Sequence, residues 1–175
     1  VIALGEEFLL ADLLELGITP IASSANFLTG YVGIDPKLTA ALEPFTLQEA
    51  DLEALAMLDP DLILLPESYY AYTPESFDEI ATFVPLVVLP DTPVYQDGFR
   101  FLASVFGREA LADEKIADLE RVISSAAEDL ALEGQTASFA SIYEGGGNLA
   151  LWLTDQVPTV EIAMALGLTV EPAAE

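Results

Sequence analysis

Short apolar runs alternate with helical patterns over the first hundred residues. The runs at residues 1–4, 19–22, 61–66 and 86–89 are apolar enough for both faces of a strand to be buried, and amphipathic stretches lie between them. Strands that are apolar on both faces and alternate with helices are typical of parallel sheets. The pattern therefore predicts an α/β fold whose first domain, residues 1–107, is a Rossmann-like lobe built on a parallel sheet.

Local end signals support several of the predicted helices. A helix over residues 7–16 ends at Gly17, a residue type suited to a helix C-terminus, and one over residues 46–57 begins with a capping box. Further helices are predicted over residues 74–82 and 94–106. A polar or aromatic loop follows each strand, and parallel sheets bind ligands beyond the carboxyl ends of their strands.

A segment without proline or glycine follows at residues 108–133, and its apolar positions recur at helical spacing. At 1.5 Å per residue, about 25 residues make a helix about 37 Å long, which exceeds what a crossover within one sheet needs. We predict a bridging helix over residues 108–134. Strands at 138–143 and 149–153 and a helix at 157–166 then begin a second α/β lobe, residues 135–175. This lobe is too small to be complete, so we expect a truncated chain.

The composition excludes several classes of function. With 30 acidic and 5 basic residues the formal net charge is −25, which disfavours nucleic acid and anionic membrane surfaces as partners. The chain has no cysteine and no histidine, so it lacks a thiol nucleophile, a conventional zinc site and a Ser-His-Asp triad. Solubility or a salty habitat explains the acidity most simply, and a cationic or metal-bearing ligand would also suit it.

No motif indicates catalysis, a cofactor or a resident metal. The run Gly145–Gly147 departs from the glycine spacing of dinucleotide-binding loops, and we interpret it as a hairpin turn between two strands. An α/β enzyme that uses carboxylates of a cleft stays open as an alternative, because many reactions occur on such sheets. A protein-interaction module with acidic patches is a third interpretation.

Three stretches resemble a known family. Residues 1–7, 13–22 and 51–63, above all the run Leu58-Asp59-Pro60-Asp61-Leu62-Ile63 after its helix, resemble the amino-terminal lobe of a class of ABC-importer substrate-binding proteins. This class, the class III periplasmic binding proteins, takes up iron siderophores, haem and cobalamin. The resemblance covers about residues 1–153, and beyond them the chain agrees in pattern only.

The resemblance implies two α/β lobes joined by one long helix, with the ligand in the cleft between them. It implies a monomeric extracytoplasmic receptor, in the periplasm or held at the outer face of the cell membrane by a lipid anchor on a removed leader. In this class an acidic residue on each lobe docks onto arginines of the permease. Glu53 matches the one on the amino-terminal lobe, and the other is expected beyond Glu175.

The expected ligand site consists of loops at the carboxyl ends of the strands. Aromatic rings there could stack on a flat or chelating ligand while hydroxyl groups bond its polar edge. The predicted ligand-binding residues are Glu6, Phe8, Ser24, Asn26, Phe27, Tyr31, Glu67, Tyr69, Tyr70, Tyr143 and Trp152. A structural role is the alternative for each tyrosine, for Trp152 as a core residue and for Glu6 as a carboxylate at a helix N-terminus.

The charge of the ligand follows from the scarcity of cations. Arg100 is the one conceivable ligand cation of the first lobe, and its position in mid-helix predicts that it extends along the surface. Tris-catecholate ferric chelates are polyanions that need several basic groups. We therefore predict a neutral or cationic chelate such as a hydroxamate-type ferric siderophore, with cobalamin or haem as the next candidates.

Overall fold

Contacts between residues divide the chain into two units in this computed structural model. Unit 1 comprises residues 1–91 and 101–107, and unit 2 comprises residues 92–100 and 108–175. The structure describes residues 1–25, 30–42, 45, 52–92, 94–142, 149–152 and 158–171. The domain boundaries after residues 107 and 134 stay a prediction.

Unit 1 contains a four-stranded parallel sheet. Its strands are β1 (Ile2–Ala3), β2 (Ala22–Ser23), β3 (Ile63–Pro66) and β4 (Leu86–Leu89). They lie in the order β2-β1-β3-β4, with Ile2 opposite both Ala22 and Ile63 and with Ile63 opposite Leu86. The predicted parallel sheet is confirmed, although β1 and β2 are shorter than their apolar runs.

The helices of unit 1 largely follow the predicted pattern. They are α1 (Glu6–Glu15), α2 (Pro36–Thr39), α3 (Leu52–Met57), α4 (Glu67–Tyr70) and α5 (Pro74–Ala81). Gly17 ends the first of them in a left-handed conformation with φ 73°, and its N–H donates to the Leu14 carbonyl oxygen. The first six residues of the helix predicted at 46–57 lie outside the described residues.

The segment after β3 corrects one expectation. Residues 67–72 are predicted as a loop, but the first four form the helical turn α4. Pro66, with extended φ and ψ, precedes this turn, and Glu67 lies in it, where a negative charge meets the positive end of the turn. In the sequence, a helix of four residues with these end signals cannot be distinguished from a turn.

The central strands of the sheet, β1 and β3, are buried on both faces. Ile2, Ile63 and Leu65 join a cluster with Phe77 and Ile80 of α5. Successive strand residues face opposite sides, so Ala3 and Leu64 lie on the other face, and both are fully buried. Burial of both faces explains why these strands are apolar throughout.

Unit 2 contains the long helix that the sequence predicts. The helix α6 (Tyr95–Val105) begins in unit 2 and ends in unit 1, and α7 (Glu109–Leu130) follows as one helix of 22 residues. The remaining elements are β5 (Thr136–Ala137), β6 (Phe139–Ile142), β7 (Leu149–Trp152), α8 (Pro158–Ala165) and β8 (Thr169–Val170). Among the described helices, none has the length and apolar character that crossing a membrane requires.

Two small sheets accompany these helices. β5 pairs with β8 in parallel, and β6 pairs with β7 in antiparallel. The single strand predicted at residues 138–143 is therefore divided, and Ser138 at the division donates its hydroxyl to the carbonyl oxygen of Glu171. The antiparallel pairing expected on the two sides of Gly145–Gly147 is confirmed, while those glycines lie outside the described residues. Neither small sheet includes a strand of unit 1, which confirms an α/β fold with a parallel sheet, a long helix and further strands.

Candidate functional site

The strand order of unit 1 indicates where a ligand would bind. The chain moves from β1 to β2 on one side and then returns to β3 on the other side of β1. In open α/β sheets, ligands bind outside the carboxyl ends of the strands where the order reverses in this way. We call the segments that follow the four strands the carboxyl edge, whose described residues are 4–8, 24–25, 30–33, 67–72 and 90–91.

Most of the predicted site residues of unit 1 belong to the carboxyl edge. Those with described positions are Glu6, Phe8, Ser24, Tyr31, Glu67, Tyr69 and Tyr70. Asn26, Phe27 and Tyr143 lie outside the described residues. In unit 2, Trp152 is the last residue of β7 and pairs with Phe139. Glu53 is the second residue of α3. The ligand-binding and docking roles of all these residues stay predictions.

Hydrogen bonds join the ends of β1 and β2. The backbone N–H of Glu6 donates to the hydroxyl oxygen of Ser24 over 3.1 Å, and the N–H of Ser24 donates to the carbonyl oxygen of Ala3 over 2.8 Å. The hydroxyl of Tyr31 donates to the carbonyl oxygen of Ser23 over 2.6 Å. Ser23 and Ser24 are both fully buried. These polar groups therefore support the backbone of the carboxyl edge from within.

The backbone at the end of β1 has an unusual conformation. Glu6 has a φ of 53°, in the left-handed region that residues with a Cβ atom rarely adopt. Its neighbour Gly5 has no room for a side chain, since a Cβ atom there would lie 2.5 Å from Cβ of Leu9. The first turn of α1 thus begins in a tight bend directly after the strand.

The aromatic residues after β3 differ in their surroundings. The ring of Tyr70 stacks on that of Phe77 at a centroid distance of 6.2 Å, and its hydroxyl donates to Oδ1 of Asp78 over 2.8 Å. This hydrogen bond raises the pKa of Tyr70 above its usual value. Tyr69 and Tyr70 both pack against the core cluster. Tyr70 therefore has a structural role, whatever it contributes to a ligand.

The exposed groups at the carboxyl edge include aromatic and acidic side chains. Phe8 is 74% exposed and Tyr72 is 80% exposed. Glu67 is exposed as well, and so is Asp91 after β4, whose Oδ2 accepts a hydrogen bond of 2.8 Å from the N–H of Ser68. Among the described residues, no three acidic side chains converge closely enough to hold a metal ion. The edge is suited to stacking contacts and to ligands without excess negative charge.

Basic groups are nearly absent from unit 1. Of the five basic residues, unit 1 contains Lys37 alone, while Arg100, Arg108, Lys115 and Arg121 belong to unit 2. The predicted surface position of Arg100 is confirmed, because its side chain is 48% exposed and its Nε pairs with Oδ1 of Asp113 over 2.9 Å. The sequence-based interpretation did not single out Lys37, which lies in α2 after Asp35 at the helix N-cap. What distinguishes Lys37 is that it is the single basic residue of unit 1. This becomes evident only when each basic residue is assigned to a unit.

Comparison with protein families decides the class. Residues 2–165 match the family model of the periplasmic binding proteins, which is most of the chain. The chain belongs to this family. The predicted resemblance to the class III proteins of ABC importers is thereby confirmed, and the solved structures similar to this periplasmic binding protein include a siderophore-binding protein.

Solved structures share the fold of this periplasmic binding protein at low sequence identity. Holo-ViuP aligns with a TM-score of 0.82 at 19% identity, over 97% of this chain and 58% of that one. The siderophore-binding protein FhuD from Vibrio cholerae, bound to Fe3+ and Desferal, aligns with a TM-score of 0.76 at 23% identity, over 99% of this chain and 67% of that one.

A third structure and the curated proteins complete the comparison. SirA from Staphylococcus aureus, complexed with staphyloferrin B, aligns with a TM-score of 0.72 at 16% identity, over 98% of this chain and 59% of that one. This periplasmic binding protein therefore spans between 58% and 67% of the length of these three structures. No curated protein matches its sequence.

Proposed function

We propose that this protein is an extracytoplasmic receptor that binds a ferric siderophore and delivers it to an ABC importer. The family match over residues 2–165 carries the proposal. The structural likeness to FhuD with Fe3+ and Desferal and to SirA with staphyloferrin B supports a ferric siderophore as the ligand class. The comparisons favour neither an α/β enzyme nor a haem or cobalamin receptor.

The carboxyl edge of unit 1 is the surface that we propose for contact with the chelate. Glu6, Phe8 and Glu67 are the proposed contacts among its described residues, and Phe8 offers an exposed ring for stacking. Glu53 on α3 is the proposed docking residue for the permease. Charge reversal by Glu53→Lys should abolish transport in cells and leave chelate affinity unchanged, whereas unchanged transport would remove Glu53 from the proposal.

The charge distribution favours a neutral or cationic chelate. Lys37 is the sole basic residue of unit 1, and Glu67 and Asp91 at the carboxyl edge are exposed acids. A tris-catecholate ferric complex carries several negative charges and would meet repulsion at such an edge. A hydroxamate complex such as ferric Desferal avoids that repulsion, so it is the chelate type that we propose.

Paired titrations test the proposal. Quenching of tyrosine and tryptophan fluorescence in the full chain would be followed during addition of ferric Desferal or of a ferric tris-catecholate. We expect the hydroxamate to bind more tightly by at least about tenfold, equivalent to about 1.4 kcal/mol. Tight binding of the tris-catecholate would contradict the proposed chelate type, and no binding of either chelate would contradict the siderophore function.

Lys37→Gln and Glu67→Gln serve as matched variants, because each removes one charge and keeps a polar side chain of similar length. If the carboxyl edge selects against negative charge, Glu67→Gln should reduce the ratio of the affinity for the hydroxamate to the affinity for the tris-catecholate. Lys37→Gln should leave hydroxamate affinity unchanged, since the proposed ligand does not need a cation. A loss of hydroxamate binding in Lys37→Gln would indicate an anionic group on the true ligand.

A further inference from the structure

Ser24 lies in the interior of the carboxyl edge. Its side chain is fully buried. Its hydroxyl oxygen accepts a hydrogen bond from the N–H of Glu6, which lies 18 positions earlier in the chain. Its backbone is also engaged, because its N–H donates to the carbonyl oxygen of Ala3. A buried hydroxyl with these partners supports the backbone around it.

Tyr31, which is half-buried, supports the same junction between the end of β2 and the start of α1. Its hydroxyl donates to the Ser23 carbonyl oxygen over 2.6 Å, and the hydroxyl of Ser23 donates to the Ser24 carbonyl oxygen over 3.2 Å. Burial raises the pKa of Tyr31 above its usual value, which favours the protonated phenol that donates this hydrogen bond. Tyr31 and Ser23 therefore fix the end of β2, from which Ser24 reaches the first residue of α1.

The residue held by this network is conformationally strained. Glu6 has a φ of 53°, which costs free energy in any residue with a Cβ atom. Such a conformation persists where surrounding contacts fix it, and the hydrogen bond from its own N–H to Ser24 is such a contact. Phe8 follows two residues later in the same first turn of α1, so its position depends on the same bend.

We propose that Ser24 and Tyr31 are positioning residues, which hold Glu6 in its left-handed conformation and act on ligand binding through the first turn of α1. The part that concerns ligand binding rests on the proposed function. The part that concerns the backbone of Glu6 stands independently of any ligand. Both residues were predicted as ligand contacts, and their hydrogen bonds in the structure support this different role.

Hydrogen exchange at single amides tests the backbone part in the full chain. Because the Glu6 amide donates to Ser24, Ser24→Ala should speed its exchange by about tenfold or more, and Tyr31→Phe by a smaller factor. The amide of Leu4, bonded to the Leu64 carbonyl oxygen at 2.8 Å, serves as an internal reference and should not change. Tyr72→Phe removes the hydroxyl of an exposed tyrosine and should leave the Glu6 amide unaffected. Unchanged exchange at Glu6 in both Ser24→Ala and Tyr31→Phe would overturn the proposal.

A double-mutant cycle examines the strain itself. Glycine adopts a positive φ without penalty, so Glu6→Gly should make the support of Ser24 less important. Ser24→Ala should then shift the urea midpoint of unfolding less in the Glu6→Gly background than in the original chain. Equal shifts in the two backgrounds would overturn the role of Ser24 in holding Glu6.

Titration with ferric Desferal decides the link to ligand binding. We expect Ser24→Ala and Tyr31→Phe to weaken binding by about tenfold, in parallel with the faster exchange at Glu6. Faster exchange with unchanged affinity would overturn that link. If the original chain does not bind ferric Desferal, the proposed ligand is wrong, while the exchange rates and the double-mutant cycle still decide the positioning role.

Discussion

The two units bury their apolar residues in different ways. In unit 1 the strands β1 and β3 are at most 1% exposed at Ile2, Ala3, Ile63 and Leu64. In unit 2, by contrast, Leu151 of β7 is 43% exposed, and Val122 of α7 is 64% exposed. The parallel sheet therefore forms the centre of unit 1, whereas the side chains described in the two-stranded sheets of unit 2 are exposed or half-buried apart from Val170.

Helices account for much of the described burial in unit 2. Ala112 and Ile116 of α7 and Val160 and Ala163 of α8 are all buried. The described side chains that bury well in unit 2 are thus mostly spaced for helix packing, whereas unit 1 buries helix residues such as Leu10 and Leu13 together with the strands of a parallel sheet. The same type of mutation should consequently have different effects in the two units.

The largest expected difference concerns leucines in strands. Leu64→Ala in β3 leaves a cavity at a fully buried site and should lower the free energy of unfolding by about 3 kcal/mol. Leu151→Ala in β7 removes the same atoms from a side chain that is 43% exposed, and it should cost less than about 1 kcal/mol. Urea denaturation followed by circular dichroism measures both. Similar losses for the two variants would show that the strands of unit 2 support a core as dense as that of unit 1.

Glycine substitutions sharpen the comparison by separating a steric clash from backbone strain. In unit 1, Gly5→Ala places a Cβ atom 2.5 Å from Cβ of Leu9 and should cost about 2 kcal/mol through overpacking. In unit 2, Gly134→Ala meets no atom within 4 Å, and its φ of 81° alone should cost about 1 kcal/mol. The same denaturation experiment ranks the two.

The order of these losses tests the close approach at the start of α1. A loss in Gly134→Ala that equals or exceeds the loss in Gly5→Ala would mean that Leu9 moves aside easily. In that case the backbone at the bend after β1 would deform more easily than the distance of 2.5 Å between a Cβ atom at Gly5 and Cβ of Leu9 suggests. Hydrogen exchange at the Glu6 amide would then show directly whether Ser24 still holds this bend.

Sequence patterns predicted the elements whose side chains repeat regularly. β3 was predictable from the uninterrupted apolar run Ile63-Leu64-Leu65, and α7 from apolar positions at helical spacing without proline or glycine. Such periodic signals reflect burial of one face or of both faces, which local sequence records directly. The split at Ser138 carries no such signal, because a serine is equally compatible with a continuous strand.

For the candidate site, the sequence predicted which segments follow the strands but not the contacts between them. Loops after the strands could be named, but Ser24 meets Glu6, and Ser68 meets Asp91, only because β1, β2, β3 and β4 lie in a particular order. The left-handed φ of Glu6 had no sequence signal either, since glycine or asparagine is the usual residue in that region. Roles that depend on contacts between distant segments therefore require the fold.

The smallest expected difference concerns charge on α7 in unit 2. Asp113 pairs with Arg100, whereas Asp129 lies in the last turn of the same helix, where a negative charge faces the negative end of the helix dipole. Asp129→Asn should therefore raise the midpoint of thermal unfolding by about 1–3 °C. Asp113→Asn breaks an exposed ion pair and also relieves repulsion in a chain of net charge −25, so its midpoint should stay nearly constant. Added salt should reduce the difference between the unfolding midpoints of the two variants. It screens both the interaction of Asp129 with the helix dipole and the ion pair of Asp113 with Arg100. A large loss in Asp113→Asn that persists in salt would instead make this pair an important support of unit 2, comparable to the buried leucines of unit 1.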